Sequence, residues 1–546
     1  MANVKFPKKI FEKEIGKLTE EMQAQIALFG TTVEDLTEDE LELDVTPNRP
    51  DILSYQGYKR SFLAFLGKKT GLKTYKVNPA EKDFEVKIDS SVKDIRPFTA
   101  CAIIKGLNLD DDKIKEIIEL QEKLHSTVGR RRKKLAIGIY PLDKIKLPIS
   151  YKAIEPDKIK FLPLEARREM SGLEILQRHP TGKEYAHLLA GKTKFPVFID
   201  ADNHVLSMPP IINSERTGRV NEETKDVFVE CSGFDFEALS RTLNIIVTTL
   251  ADMGGKIYEM KVKDKITPNL ETQKGKLSLE NVNKTLGLEL KEKEMKQLIE
   301  KMGHSYEKGI VESPAWRTDL LHEVDLIEEV GVAYGYDKFE PIIPKIATIG
   351  QENPESIIKK KFSEILCGLN MLEISNYHLT KRNDQFTKMG ILEKQEKGAV
   401  VLEDSKTEYG LTRKDLTHYL LKVISENGDS EYPQNIFELG RVFNVKENGD
   451  IEETERLSIG ATPGNFTQIK QTLDYLAHST GLELTIKEQE KSDLHFIDGR
   501  SADIFLDDEK IGEIGEIHPK ILKNWKIKMP VALMEIELTK VFEKFY

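Results

Sequence analysis

In ELELDV, Leu41, Leu43 and Val45 alternate with acidic residues, and this period of two predicts a strand with one buried face. The turn Pro47-Asn48-Arg49-Pro50 follows. Ile52, Leu53, Tyr55, Phe62, Leu63 and Phe65 then recur at helical spacing, with Asp51 placed to cap the helix. Further strands are expected in FEVKID, TACAIIKG and FPVFIDAD, and amphipathic helices in KIKEIIELQEKLHSTV and FEALSRTLNIIVTTLADMG. That mixture predicts an α+β domain. Residues 275–340 read as helices broken at Gly287, a small winged or three-helix module. Beyond them, the helical pattern SIIKKKFSEILCGLN is followed by the strand patterns NIFELGRVFNV, RSADIFLD, EKIGEIGEI and VALMEIEL. Turn-rich stretches at 71–83 and 341–355 mark joints. The expected organisation is α+β and multidomain, with segments 1–78, 79–268, 269–345 and 346–546.

Composition narrows the function classes. At 39% hydrophobic and 32% charged residues, the 546-residue chain reads as several globular domains. No apolar run approaches the roughly 18 residues that span a bilayer, and the first residues lack the pattern of an export signal, so a cytoplasmic protein is expected. Three cysteines, Cys101, Cys231 and Cys367, stand too far apart for a zinc or disulfide framework and are expected in the core. A net charge of −11 argues against a general nucleic-acid coat, so any RNA contact must be local. Arg130, Arg131, Arg132, Lys133 and Lys134 form the candidate patch, with a solvated loop as the alternative.

The stretch WRTDLLHEVDLIEEV carries Asp319, Glu323, Asp325, Glu328 and Glu329. On a helical wheel Leu320, Val324 and Ile327 share one face, while Asp325, Glu328 and Glu329 share another at i, i+3 and i+4; Asp319 falls at the helix start as a candidate N-cap. A hard cation such as Mg2+ or a solvated acidic face both fit that spacing.

Four phrases, LDVTPNRPDILS, HPTGKEYAHLL, LSMPPIINSE and WRTDLLHEVDLIEEVGVAYGY, resemble the β subunit of phenylalanyl-tRNA synthetases of the archaeal and eukaryotic-cytosolic type. The resemblance runs through nearly the whole chain in order. It implies an α2β2 heterotetramer acting with tRNA(Phe), ATP-dependent charging with phenylalanine, and a hydrolytic editing domain at 79–268. It also implies a catalytically inactive class II synthetase-like antiparallel sheet domain at 346–546, with the aminoacylation site on the α subunit. Consistent with that, IFELGRVF has no arginine before Glu438, and VALMEIELTKVF ends without a glycine run or arginine to clamp phosphate; Arg413 and Arg441 remain, with structural roles expected. No aminoacylation residue is therefore expected here.

By position, the family's editing pocket falls on Ser207, Asn213 and Glu230, with Phe198 as an apolar wall. An ionised Glu230 would accept the hydroxyl of misattached tyrosine. Read without the resemblance, Ser207 and Asn213 simply cap turns around Pro209-Pro210. The resemblance also assigns Mg2+ to Asp319, Asp325, Glu328 and Glu329. A free-standing aminoacyl-tRNA deacylase and a non-editing scaffold subunit are the competing readings.

Overall fold

A computed structural model describes residues 2–392, 396–403, 405–489 and 495–545. It divides into two compact units, Met1–Ile343 and Pro344–Tyr546.

The first unit begins with an antiparallel sheet in which Glu40–Val45 lies between Ala2–Pro7 and Thr32–Leu36. Leu41, Leu43 and Val45 are buried as their alternation demands, against the helix Tyr55–Phe65, where Tyr58 and Phe62 meet Phe6, Phe11 and Phe29. The helix cap differs from the expectation. Ser54 accepts from Gly57 N, whereas Asp51 is taken up by Arg49 in a buried bidentate pair.

Two sheets form the middle of the unit. One has seven strands, running from Ile212–Asn213 through Val205–Met208, Phe195–Ile199 and Ile149–Ile154 to Lys265–Thr267. The other has five, with Phe98–Lys105, Val227–Gly233 and Leu135–Pro141 side by side. Strand Phe98–Lys105 explains the layering. Ala100, Ala102 and Ile104 join the core that contains helices Asp111–Ser126 and Phe236–Asp252, while Cys101 and Ile103 join Tyr151, Phe198 and Phe228 in a second core. A strand buried on both faces reads as a continuous apolar run, as this one does.

The module at 273–336 is less purely helical than its periodicity predicts. Helices Leu279–Leu286, Glu292–Lys301 and Glu323–Tyr334 pack on a three-stranded antiparallel sheet made of Gln273–Lys276, Ile310–Ser313 and Ser305–Glu307. The last two strands are joined by Lys308-Gly309, both at positive φ, the twist a two-residue hairpin requires.

The second unit is built on a seven-stranded sheet ordered Leu372–Glu373, Gln434–Val445, Ile451–Thr462, Ala532–Glu537, Glu509–Ile517, Phe496–Leu506, Leu484–Glu488. All neighbours are antiparallel except the first pair. Met534 and Ile536 face a core shared with helices Pro354–Gly368 and Phe466–Thr480; Leu533 faces the core that contains Thr417–Glu426 and Pro519–Asn524. Cys101 and Cys231 are buried as expected, but Cys367 is exposed, on the solvent side of its helix. No described helix is long and apolar enough to cross a membrane.

Candidate functional site

A cavity of about 450 Å3 opens beside strand Leu135–Pro141, with helix Asp111–Ser126 and the 209–220 segment on its walls. Glu230 and Asn213 line it, together with Gln121, His125, Arg132 and His179. Pairing places Glu230 opposite Gly138, and a Cβ on Gly138 would stand 2.1 Å from the Tyr140 hydroxyl and 2.7 Å from Glu230 Oε1. Glycine is thus required for the two polar groups to meet. Tyr140 donates to Glu230 Oε1 at 3.2 Å, with Asn213 Oδ1 at 3.4 Å from the same hydroxyl.

Glu230 is 1% exposed, and its Oε2 has no hydrogen-bond partner. Burial raises its pKa to about 8 against the opposing pull of the Arg96 charge and the Tyr140 hydrogen bond. At neutral pH this carboxyl is mainly protonated, which corrects the ionised acceptor expected from the sequence. Burial, seconded by Glu230, likewise pushes the Tyr140 phenol well up.

The four residues expected to form the pocket are partly assembled. Ser207 pairs with both Asn213 and Phe198 across neighbouring strands. Its hydroxyl is buried and unpartnered, and Ser207 is not on the cavity wall. Phe198 stacks on Tyr151 at 4.3 Å in the inter-sheet core, behind the wall rather than on it.

Two histidines on the wall were not singled out by the sequence. Ile137 N donates to His125 Nε2 at 2.8 Å, so the proton of the neutral ring sits on Nδ1, 3.2 Å from Glu122 Oε1. His179 Nε2 donates to Leu164 O at 3.2 Å, and its buried Nδ1 has no partner. Of the basic run, Arg132 turns inward, donating to Ile211 O at 2.8 Å and Glu122 Oε1 at 2.9 Å beneath the Tyr185 ring. Arg130, Arg131, Lys133 and Lys134 are exposed in the same loop. Three successive left-handed residues, Arg130, Arg131 and Arg132, shape this loop.

Comparison with known proteins adds the following. Residues 276–336 match the tRNA synthetase B5 domain, and residues 340–538 the phenylalanyl tRNA synthetase beta chain CLM domain. The phenylalanine--tRNA ligase beta subunit of Thermococcus sibiricus is 40% identical over 506 residues, 90% of this chain and 89% of that one. The corresponding subunit of Archaeoglobus fulgidus is 36% identical over 545 residues, 97% of each chain. A crystal structure of an N-terminal fragment of the phenylalanyl-tRNA synthetase beta subunit from Pyrococcus horikoshii superposes with a TM-score of 0.59 at 40% identity, covering 61% of this chain and 100% of the fragment. The chain belongs to the phenylalanine–tRNA ligase beta-subunit family.

Membership makes the acidic helix a test of the Mg2+ expectation, and the residues do not fit a shared ion. Arg317, 2% exposed, forks onto Asp319 at 2.8 and 2.9 Å and onto Glu329 at 2.8 and 2.9 Å. Burial opposes the charge on Glu329, but Arg317 and His304 hold its carboxyl well below the usual range. Asp325 instead closes the helix start, accepting from Leu321 N and His322 N at 2.7 Å, and Glu328 is exposed. Asp319 is therefore no N-cap; His322 is. Val324, expected on the apolar face, is 51% exposed, and Leu326 with Val330 fills the core in its place. Among the described residues no group of three or more His, Cys, Asp or Glu is disposed to hold a metal. A guanidinium supplies the positive charge that the sequence pattern suggested for a cation.

Melting of the full chain should accordingly be the same in millimolar Mg2+ and in excess chelator. Glu328→Gln should leave the melt unchanged, whereas Asp325→Asn should lower it in both buffers, because a neutral amide oxygen accepts less strongly from Leu321 N and His322 N, at a cost of about 1 kcal/mol of stability. A stoichiometric Mg2+ signal in calorimetry that Glu328→Gln or Asp325→Asn removes would defeat the guanidinium reading.

Proposed function

We propose that this chain gives a phenylalanine–tRNA ligase its hydrolytic clearance of tyrosine from tRNA(Phe), and that it scaffolds an α subunit carrying the aminoacylation site in an α2β2 assembly. The observation that carries the clearance role is the buried Glu230 carboxyl, whose Oε2 lacks a partner at the cavity wall and whose pKa burial raises to about 8, which keeps it mainly neutral at pH 7. A neutral carboxyl offers an O–H to the phenol oxygen of a bound tyrosine. Phenylalanine would leave that buried group unpaired. Sites built to hydrogen-bond a hydroxyl reject the analogue lacking it by about 10⁴-fold or more, whereas an apolar pocket rejects an added hydroxyl by only about 10²-fold. A charging site selective for phenylalanine therefore gains from this second, oppositely selective pocket.

Phe198 and Ser207 support the pocket from behind, and Asn213 shares the Tyr140 hydroxyl. The exposed Arg130, Arg131, Lys133 and Lys134, in the loop of the wall residue Arg132, meet tRNA phosphates in a salt-dependent way. Hydrolysis uses a positioned water. ATP and Mg2+ enter with the α subunit. In this chain Arg413 is engaged by Glu438 at 2.6 Å and by Arg441 O at 2.7 Å, and Arg441 by Glu453 and Glu455, so neither guanidinium is free for phosphate.

The test is to assay the chain alone and co-expressed with its α partner. Phenylalanine-dependent ATP–pyrophosphate exchange should appear only with α. The assembly should hydrolyse tyrosyl-tRNA(Phe) much faster than phenylalanyl-tRNA(Phe). Exchange by the purified chain alone would refute the scaffold role, and equal stability of the two esters would refute clearance.

A further inference from the structure

A second cavity, of about 500 Å3, lies where helix Tyr55–Phe65, residues 69–73, the end of helix Phe236–Asp252 and the 302–317 segment converge. It is separate from the pocket of Glu230, sharing no wall residue with it, and nothing proposed above uses it. Its volume falls within the roughly 300–1,000 Å3 of small-molecule sites. Five cationic side chains line it, of which Arg317 is held by Asp319 and Glu329 and Lys59 by Glu14, which leaves Arg60, Lys69 and Lys73 against one carboxylate, Asp252.

Asp252 is shared. Arg60 Nη1 donates to its Oδ2 at 2.8 Å, while Lys73 Nζ at 2.5 Å and the Tyr75 hydroxyl at 2.8 Å converge on Oδ1. The Arg60 side chain is 7% exposed and its guanidinium lies 4.3 Å from the Trp316 ring centre, yet its Nε and Nη2 have no hydrogen-bond partner. Gln56, 7% exposed, leaves its carboxamide Oε1 unpartnered. Lys69 stands exposed at the edge. Buried polar groups of this kind are normally paired, so two idle guanidinium nitrogens and one idle carbonyl oxygen on one cavity indicate missing partners of opposite hydrogen-bonding character.

We propose that this cavity binds a small phosphorylated compound, with its phosphate on Arg60 and Lys69 and an N–H or O–H group on Gln56 Oε1. An anion balances Arg60, Lys69 and Lys73 gathered around one carboxylate; a cation does not. Phosphate suits a guanidinium edge because several oxygens can accept together. The apolar part of the wall, Leu63, Leu72, Met302 and Trp316, fits the body of the ligand. A nucleoside 5′-monophosphate has this combination of charge, donors and a flat apolar surface. Because the cavity draws on the N-terminal helix, the 69–73 strap and the 302–317 segment together, its ligand holds those pieces in one arrangement.

Calorimetry and melting of the full-length chain, titrated with adenosine 5′-monophosphate, inorganic phosphate, adenosine and phenylalanine, test this. The nucleotide should bind one-to-one and raise the melting temperature, with adenosine at least tenfold weaker. Lys69→Ala, at an exposed position, and Gln56→Leu, which removes the idle oxygen, should each weaken nucleotide binding about tenfold while the ligand-free melt is kept. Three results would overturn the proposal: no saturable binding of nucleotide or phosphate by the folded parent, nucleotide binding unchanged in both variants, or phenylalanine binding in preference to the nucleotide. So would a loss in Lys69→Ala that touches tRNA binding alone, since that would make Lys69 a backbone contact.

Discussion

The assembled Glu230→Ala enzyme is expected to charge tRNA(Phe) with phenylalanine at the parent rate while losing its preference for hydrolysing tyrosyl-tRNA. Removing one partner of a buried hydrogen bond costs about 1–3 kcal/mol, which corresponds to about 5- to 150-fold in the tyrosine-to-phenylalanine ratio. Glu230→Gln separates hydrogen bonding from titration, because its amide stays a neutral donor and acceptor at every pH. It should keep most of the preference at pH 7. In the parent, the preference should change as pH rises through about 8, where the carboxyl ionises and loses its donor. Stability should move with it. The folded-state pKa lies above the ordinary value of 4.5, so the folded chain holds the extra proton between that value and about 8. The stabilisation is complete below 4.5 and is lost as pH rises through about 8. Melting of the parent should therefore fall more steeply between pH 5 and 9 than that of Glu230→Gln. Parallel pH profiles for the two proteins, or undiminished tyrosine preference in a well-folded Glu230→Ala enzyme, would remove Glu230 from the recognition role.

What the sequence revealed depended on how local the physics was. Strand ELELDV and helix Asp111–Ser126 were legible because one-sided burial writes its period directly into neighbouring residues. The pairing of Glu230 with Gly138 was not, since 92 positions separate them and only strand register brings them together. Tyr140 could have been flagged: two residues beyond Gly138 on a strand it shares that glycine's face, and a glycine inside a strand marks a close approach. His179 gave a weaker signal, because its polar atom matters only through the absence of a partner. The acidic helix misled for a related reason. Helical spacing places carboxylates along a face but says nothing about what neutralises them, and Arg317 lies outside the helix it locks. The Asp51 cap failed in the same way, Arg49 being close enough to claim the carboxylate before the helix began.

Arg317 carries the largest stability effect expected in the first unit. Its guanidinium makes four hydrogen bonds to two carboxylates in a nearly dry site, with His304 at 3.4 Å and the Arg49–Asp51 pair nearby. Arg317→Met keeps much of the volume but leaves Glu329 and Asp319 facing each other without a cation. Breaking one side of a buried ion pair costs about 3–5 kcal/mol, much of the stability of an ordinary domain, so the 273–336 module should open at moderate temperature. The double variant Arg317→Met with Glu329→Gln should regain part of that loss, because the stranded charge, rather than the missing attraction, dominates the penalty. Hydrogen exchange across Glu323–Tyr334 and Ile310–Ser313 reads the effect locally. Added Mg2+ should not restore protection, since Asp325 stays committed to the helix start and Glu328 points to solvent. Full rescue of Arg317→Met by Mg2+ would mean that the carboxylates can gather around an ion after all, and that arginine and metal are interchangeable occupants of one site.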